Sequence, residues 1–476
     1  MSKSPAPYRS ILTWLVVATF TVILNETIML NAIPRLMEEF DVTARDAQWL
    51  STGFMLAMAV VIPVTGWFLQ RVTTRTAFLS AMLVFCAGTL LAALAWSFPV
   101  LVAARIVQAC GTAIMMPLLM TTLMMVVPEN ERGGVMGNVT LAMSVAPAMG
   151  PTVSGLILQS LSWRWLFIIV LPIAITVTVL GLRKLENVGE PHSESLDWPS
   201  VALAAFGFGG FVYGLSQIGD AAATAVIHPA IAIPAGALII AAFVWRQRRL
   251  ARTSTPLLDL DTLRNPTYRL CLTLMGGAFM AMLGAMILLP LYLQDARELS
   301  VLKTGLLMMP GGLAMGLLGP TVGRWFDRLG ARPLVIPGAI GMVLALGLMS
   351  QVSTTMPYVA LLALHMTLMV SLALLFTPIF TIGLGALTPE LYSHGSSLLG
   401  TLQQLAAAGG TALVITVFSS RQSSLADAGK SAVDATVGGM QWAFALTGII
   451  ALGVLALSFR VPGKIEGVGD PVAETT

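Results

Sequence analysis

A carboxylate and a guanidinium stand inside stretches of this sequence that are otherwise apolar. Glu26 lies in ILNETIMLNAIP (23–34) beside Asn25 and Asn31, and Arg105 lies in LVAARIVQACGTAIMMP (101–117) with Gln108 three residues on. Ionisable groups in membrane-type runs are costly to keep there and point to an ion or substrate pathway. A carboxylate stripped of water holds its proton tightly, and one beside an arginine holds it loosely. A site that alternates between those surroundings can therefore bind and release a proton near neutral pH. Two other chemistries fit the same group: counter-ion to a cationic ligand, or a permanently neutral, hydrogen-bonded packing residue. Glu26 precedes Pro34 by eight residues and Arg105 follows Pro99 by six. At about 1.5 Å per residue both sit roughly 9 to 12 Å below one face, which makes them expected partners.

The other polar residues in apolar runs leave two readings each. His365 in LLALHMTLMV either titrates or packs as a hydrogen-bonded histidine between helices. Gln403 and Gln404 in LGTLQQLAAAGG, with Tyr213 and Tyr292, either line a cavity or bridge helices. Asn25, Asn31 and Gln108 join them as cavity candidates. The 27 methionines suit a promiscuous apolar pocket as well as ordinary packing. Cys86, Cys110 and Cys271 all lie in apolar segments and read as small core residues, so no metal site is expected.

Many helices must position these groups. Of 476 residues, 56% are hydrophobic and 10% charged, where soluble domains carry about a quarter charged. The composition is that of an all-α integral membrane protein. The net charge of +3 is scattered, with no basic run to suit nucleic acid. No G-x-x-x-x-G-K-[ST] occurs, which argues against a nucleotide-driven pump. Apolar runs from 11–33 to 440–459 number fourteen. With both termini cytoplasmic, roughly 18 Lys and Arg fall inside against about 7 outside, so the positive-inside rule favours that topology.

GWFLQRVTTR (66–75) and GRWFDRLGAR (323–332) each follow an apolar run and share Gly66/Gly323, Arg71/Arg328 and Arg75/Arg332 at one offset. The chain thus reads as two related halves. We divide it into an N-terminal six-helix bundle (1–185), two inserted helices with linkers (186–265), a C-terminal six-helix bundle (266–462) and a short tail (463–476). In the second copy Asp327 can accept from Arg328, from Arg332 or from a helix N-terminus; the plain alternative is a charged turn.

The second copy resembles the loop signature G-x-x-x-D-R-x-G-x-[RK] of the major facilitator superfamily, whose fold is two six-helix bundles rocking about a central site. The first copy has Gln70 in place of the acid. RIVQACG resembles R-x-x-Q-G-x-G of proton-coupled members, with Ala109 for the first glycine. GPTVSG, with Gly150, Pro151 and Gly155, resembles the antiporter motif G-P-x-x-G-G; by physics alone it is a kinked packing helix. SWRWLF, LLPLYLQ and PLLDLDTLRNPTY are similar to strings of the fourteen-helix drug/proton antiporter branch, the EmrB/QacA type. ILNETIMLNAIP resembles its first-helix motif L-D-x-T-I-V-N-V-A-L-P, with Asn25 at the acid position and the carboxylate moved to Glu26, about 100° around the helix.

The resemblance implies a secondary transporter, not an enzyme, in the inner membrane of a bacterium. It implies multidrug efflux, a source of antibiotic resistance, with protons as coupling ion carried by Glu26 and Arg105 and no other cofactor. The substrates would be amphipathic, cationic or zwitterionic compounds. The partners would be those substrates and the lipid bilayer, without nucleic acid or nucleotide, and the chain would act as a monomer. A narrow exporter of an endogenous metabolite, lipid or siderophore is the alternative on the same fold.

Overall fold

The computed structural model describes residues 7–188, 196–218, 225–252 and 256–463. It is helical throughout, with no strand among the described residues. The helices are α1 (Pro7–Ile28), α2 (Ile33–Phe40), α3 (Ala44–Arg71), α4 (Thr74–Ala93), α5 (Phe98–Val126), α6 (Arg132–Ser160), α7 (Trp165–Lys184) and α8 (Trp198–Ser216). They continue with α9 (Pro229–Leu250), α10 (Pro266–Leu291), α11 (Val301–Leu329), α12 (Arg332–Met349), α13 (Tyr358–Gly385), α14 (Tyr392–Asp427) and α15 (Ala432–Ser458). All but α2 are long and apolar enough to cross a membrane, giving 14 candidate spans among the described residues. An even number brings the described chain back to the side on which it starts, called here the termini side.

Side-chain caps fix many helix starts. Thr43 and Asp46 form a capping box on α3, and Thr73, Asp197, Asn265, Ser300 and Ser431 cap α4, α8, α10, α11 and α15. Such caps stabilise a helix start by about 1 kcal/mol each. Lipid-facing positions carry large apolar residues such as Leu90, Leu156, Ile173 and Leu238. Helix contacts combine buried Leu, Met and Phe with Gly, Ala, Ser and Thr at the closest approaches, because in lipid close van der Waals packing replaces the hydrophobic drive between helices.

α1, α3–α5 and α7 pack mainly within the N-terminal group and α10 and α12–α15 within the C-terminal one, while α6 and α11 pack most on each other. The widest seam between the groups is α6 against α11, and the second is α3 against α14. The hairpin α8–α9 lies over that second seam, where α8 touches both α3 and α14.

Some boundaries differ from the expected ones. The first span ends at Ile28 instead of residue 33, because the chain turns through a 3-10 segment at Leu30–Ala32 into the short α2. Asn31 therefore lies in that turn and not inside the span. α14 continues to Asp427, beyond the apolar run, held in part by Gln422 donating to Thr436 of α15 at 2.8 Å. Apart from Gly463, the expected tail at 463–476 lies outside the described residues.

The inserted hairpin is closed by a polar node on the termini side. Arg246 of α9 donates to both carboxylate oxygens of Asp197 at 2.7 Å, Ser200 also bonds Asp197, and Gln247 links Ser200 to the backbone N–H of Leu258. The Arg246 guanidinium holds the Asp197 carboxyl at about 2, below its ordinary 3.8. A depressed carboxyl stabilises the fold above its ordinary value and loses that contribution as pH falls through the depressed one. Thermal unfolding should therefore show an acid-destabilised component as pH drops from about 4 towards 2. Arg246→Gln should remove that component; an identical acid profile in wild type and variant would count against the pair as the cause.

Candidate functional site

The N-terminal helices bring four of the expected residues together. Arg105 donates from Nη1 to Gln108 Oε1 at 3.0 Å and to Asn25 Oδ1 at 3.4 Å. Gln108 passes a bond on to Thr89 of α4 at 2.9 Å. α4 comes that close because Gly88 faces α5: a Cβ there would lie 2.6 Å from the Gln108 nitrogen. The guanidinium carbon also sits 4.3 Å from the ring centre of Phe54 on α3. All four of Asn25, Phe54, Arg105 and Gln108 are buried.

Glu26 stands next to this cluster, half-buried and within electrostatic reach of Arg105. Among the described residues no ion pair joins the two, and Arg105 instead bonds the neighbouring Asn25. The one-residue shift of the carboxylate explains this, since a turn of about 100° takes it off the face that Asn25 presents to α5. Arg105 Nε and Asn25 Nδ2 are left buried without partners. Buried donors of this kind are costly to leave unmatched and mark a site built for a partner or for rearrangement.

The same end of α1 is pressed onto α6. A Cβ on Gly150 would lie 2.5 Å from Thr27 Oγ1, so the glycine lets α6 meet α1 one residue from the carboxylate. Asn31 donates to Ser154 Oγ at 2.8 Å and to the Pro151 carbonyl at 3.2 Å. Gly155 has nothing within 4 Å of its Cβ position and makes no close approach here. α6 runs without a break through Pro147 and Pro151.

On the termini side the two groups of helices are closed on each other. Asp327, at the end of α11, accepts from the N–H groups of Gly133 and Gly134 at 2.8 Å each and so caps the first turn of α6. A carboxylate there offsets both the orphan donors and the positive helix end. Of the three partners open to it, Asp327 takes the helix N-terminus. The seam behind it is backbone on backbone: a Cβ on Gly323 would lie 2.0 Å from the Gly133 carbonyl oxygen, and one on Gly137 would lie 2.2 Å from that of Gly319. On the other seam Thr65 and Ser397 hydroxyls meet at 2.5 Å, and a Cβ on Gly66 would come 2.9 Å from His394 Nδ1. Thr121 reaches Ser396, Thr140 reaches Thr377, and Arg132 reaches the Tyr392 hydroxyl. Towards the opposite side, only a 4.0 Å contact from the Thr152 hydroxyl to Met309 sulfur crosses between the groups among the hydrogen bonds found in the described residues.

The sequence repeat has a counterpart in these contacts. Arg75 donates to the Leu182 carbonyl near the end of α7, and Arg332 to the Val461 carbonyl just past α15, so each ties its loop to the last helix of its own half. Arg71 lies 5.6 Å from the Trp67 ring centre, while Arg328 remains on the surface at the foot of α11. Gln70, the counterpart of Asp327, donates to the Glu390 carbonyl at 2.9 Å, ahead of α14.

This arrangement of paired bundles has known relatives, and the Major Facilitator Superfamily description matches residues 15–411. The chain belongs to that superfamily. The lincomycin resistance protein LmrB of Listeria monocytogenes is 38% identical over 408 residues, covering 85% of both chains. LmrB of Bacillus subtilis is 35% identical over 474 residues, covering 98% of both. Among solved structures, the human organic anion transporter MFSD10 superposes with a TM-score of 0.67 at 16% identity, covering 95% of this chain and 100% of that one, a likeness of fold.

The remaining candidates of this superfamily member sit apart from the Arg105 cluster. His365 is buried with Nε2 3.2 Å from the Met308 carbonyl, and Gly311 of α11 packs against its ring. That is the helix-bridging arrangement of a packing histidine. Tyr292 is fully buried and donates to the Ser353 carbonyl at 2.6 Å, so it pins the end of α10 to the loop after α12. Tyr213 stacks on Trp49 at 6.2 Å and bridges α8 to α3. Gln403 and Gln404 are half-buried on α14, and Gln403 Nε2 has no partner. Sequence reasoning missed Phe54, an aromatic among many in apolar runs. It also missed Gly133 and Gly137, although G-x-x-x-G spacing in a span is a recognised close-packing signal.

Proposed function

We propose that this transporter is a secondary-active, proton-coupled exporter of amphipathic cationic or zwitterionic compounds in the inner membrane of a bacterium. Both termini are cytoplasmic in this reading, as the Lys and Arg distribution favours, and a single chain is the transporting unit. The observation that carries it is Glu26: a half-buried carboxylate beside an arginine whose hydrogen bonds go elsewhere. Such a carboxylate has no fixed partner holding it in one charge state, which is what a proton carrier or an alternating counter-ion requires. Proton and cationic substrate then compete for one group. With the cytoplasmic end shut by Asp327 and the glycine seam, Glu26 takes a proton from outside; when that end opens, the proton leaves inward as substrate binds. The full-length relatives named for lincomycin resistance support export of drugs. They also favour a second, narrower reading, in which a single compound class is exported.

Adding ethidium, tetraphenylphosphonium or lincomycin to purified protein in weak buffer tests the competition directly. Wild type should release protons on binding; Glu26→Gln should release none and bind the two lipophilic cations more weakly, because glutamine, like the protonated glutamate, offers a cation no charge. Binding with no release from wild type would remove Glu26 from the coupling. Binding of lincomycin alone would select the narrower reading.

A further inference from the structure

We propose that Phe54 is a positioning residue for proton coupling: its ring parks Arg105 away from Glu26 while the termini side is closed, and carries the state of that closure to the arginine. This inference rests on the proton-coupled reading above. Phe54 is 2% exposed, and its ring centre lies 4.3 Å from the guanidinium carbon. Guanidinium groups over aromatic faces are held by the ring quadrupole, most strongly where water is excluded. With Asn25 and Gln108 taking Nη1, the ring completes a resting place for the charge that leaves Nε unbonded and Glu26 without an ion pair.

The ring is on the helix that feels the gate. α3 carries Phe54 at one level and Thr65 and Gly66 at another, 11 to 12 residues on, where they meet Ser397 and His394 of α14. That separation is about 17 Å along a rigid helix. Parting of α3 from α14 on the termini side tilts α3, draws the ring off Arg105 and frees the guanidinium to approach Glu26. The approaching positive charge favours the carboxylate and expels its proton when the cytoplasmic end is open.

Among the described residues no other charge competes at that level. On the helices packed around Arg105, the remaining charged groups of α1, α3, α4 and α6 lie near helix ends (Arg9, Asp46, Arg71, Arg75, Arg132). α14 brings His394 at its termini-side end and Arg421 and Asp427 at the other. Of the thiols, Cys86 faces Thr178 of α7 and Cys110 lies half-buried on α5 itself.

The test is an infrared pH titration of the purified protein, using the carboxyl band absent from Glu26→Gln to follow Glu26. Phe54→Met keeps the volume and removes the ring; Phe54→Tyr keeps the ring. The Glu26 midpoint should move to lower pH by about one unit in Phe54→Met, the size expected when an opposite charge is freed to approach. It should stay in place in Phe54→Tyr, and Phe54→Met should have no further effect in an Arg105→Gln background. Should Phe54→Met fail to fold, Phe54→Leu takes its place in the same comparison. An unmoved midpoint, or a shift that persists without Arg105, overturns the role of Phe54 and leaves the proton-coupled reading standing. A wild-type protein with no titrating Glu26 band overturns both.

Discussion

Membrane vesicles containing Glu26→Gln are expected to accumulate no substrate under an imposed pH gradient, while the variant inserts and folds as wild type does. Glutamine reproduces the shape and hydrogen-bonding capacity of a protonated glutamate but has no proton to release. Since Glu26 makes no ion pair among the described residues, the substitution breaks no buried salt bridge, and its cost in stability should stay within about 1 kcal/mol. Loss of function without loss of fold separates a coupling residue from a packing one. Gradient-driven accumulation at the wild-type level would sink the assignment.

The second large effect concerns the seam between α6 and α11. Gly323→Ala should prevent closure of the termini side, because the new methyl would sit 2.0 Å from a backbone oxygen of Gly133. Backbone on both sides of that contact leaves no flexible side chain to give way. Overpacking of this kind costs on the order of 1 to 3 kcal/mol, and each 1.4 kcal/mol shifts a two-state equilibrium about tenfold. A cysteine pair replacing Thr140 of α6 and Thr377 of α13, whose hydroxyls meet at 2.9 Å beside that seam on the termini side, gives a direct readout. In a background lacking the three native cysteines, oxidative cross-linking of Thr140→Cys with Thr377→Cys should be efficient, and Gly323→Ala should suppress it. Undiminished cross-linking would show that the helices part in some other way. Expression and insertion are expected to be little altered, since parting of the seam would relieve the clash.

Much of the architecture was legible because the bilayer leaves few options. Apolar runs of about 20 residues are read as helices, since a helix is the one spanning structure that satisfies its backbone within a single segment, and the described residues hold fourteen of them. The repeat at Gly66 and Gly323 was legible too, because its glycines and arginines keep their spacing where loops are short. Other features were not. The end of the first span was misplaced because Leu30 and Ile33 continue the apolar pattern while Asn31 and Pro34 turn the chain. Tyr292 read as a cavity residue because sequence cannot tell a hydroxyl that faces a cavity from one that bonds the Ser353 carbonyl. Phe54 was invisible for the same reason: an aromatic in an apolar stretch announces burial, not the charge it lies against. Depth along two helices correctly brought Glu26 and Arg105 to one level, but rotation about α1 decided which neighbour takes the hydrogen bond.

Gln70 and Asp327 occupy matching places in two halves of common pattern, yet one donates to a carbonyl and the other accepts from amides. The repeat thus keeps its spacing but reverses the electrical sense of the contact. The halves are no longer spare parts for each other: exchanging these two residues would set an acid against a carbonyl oxygen at one seam and strip the charge from a helix end at the other. A chimera built by duplicating either half would inherit two latches of the same polarity, and only one of them would find the partner it was shaped for.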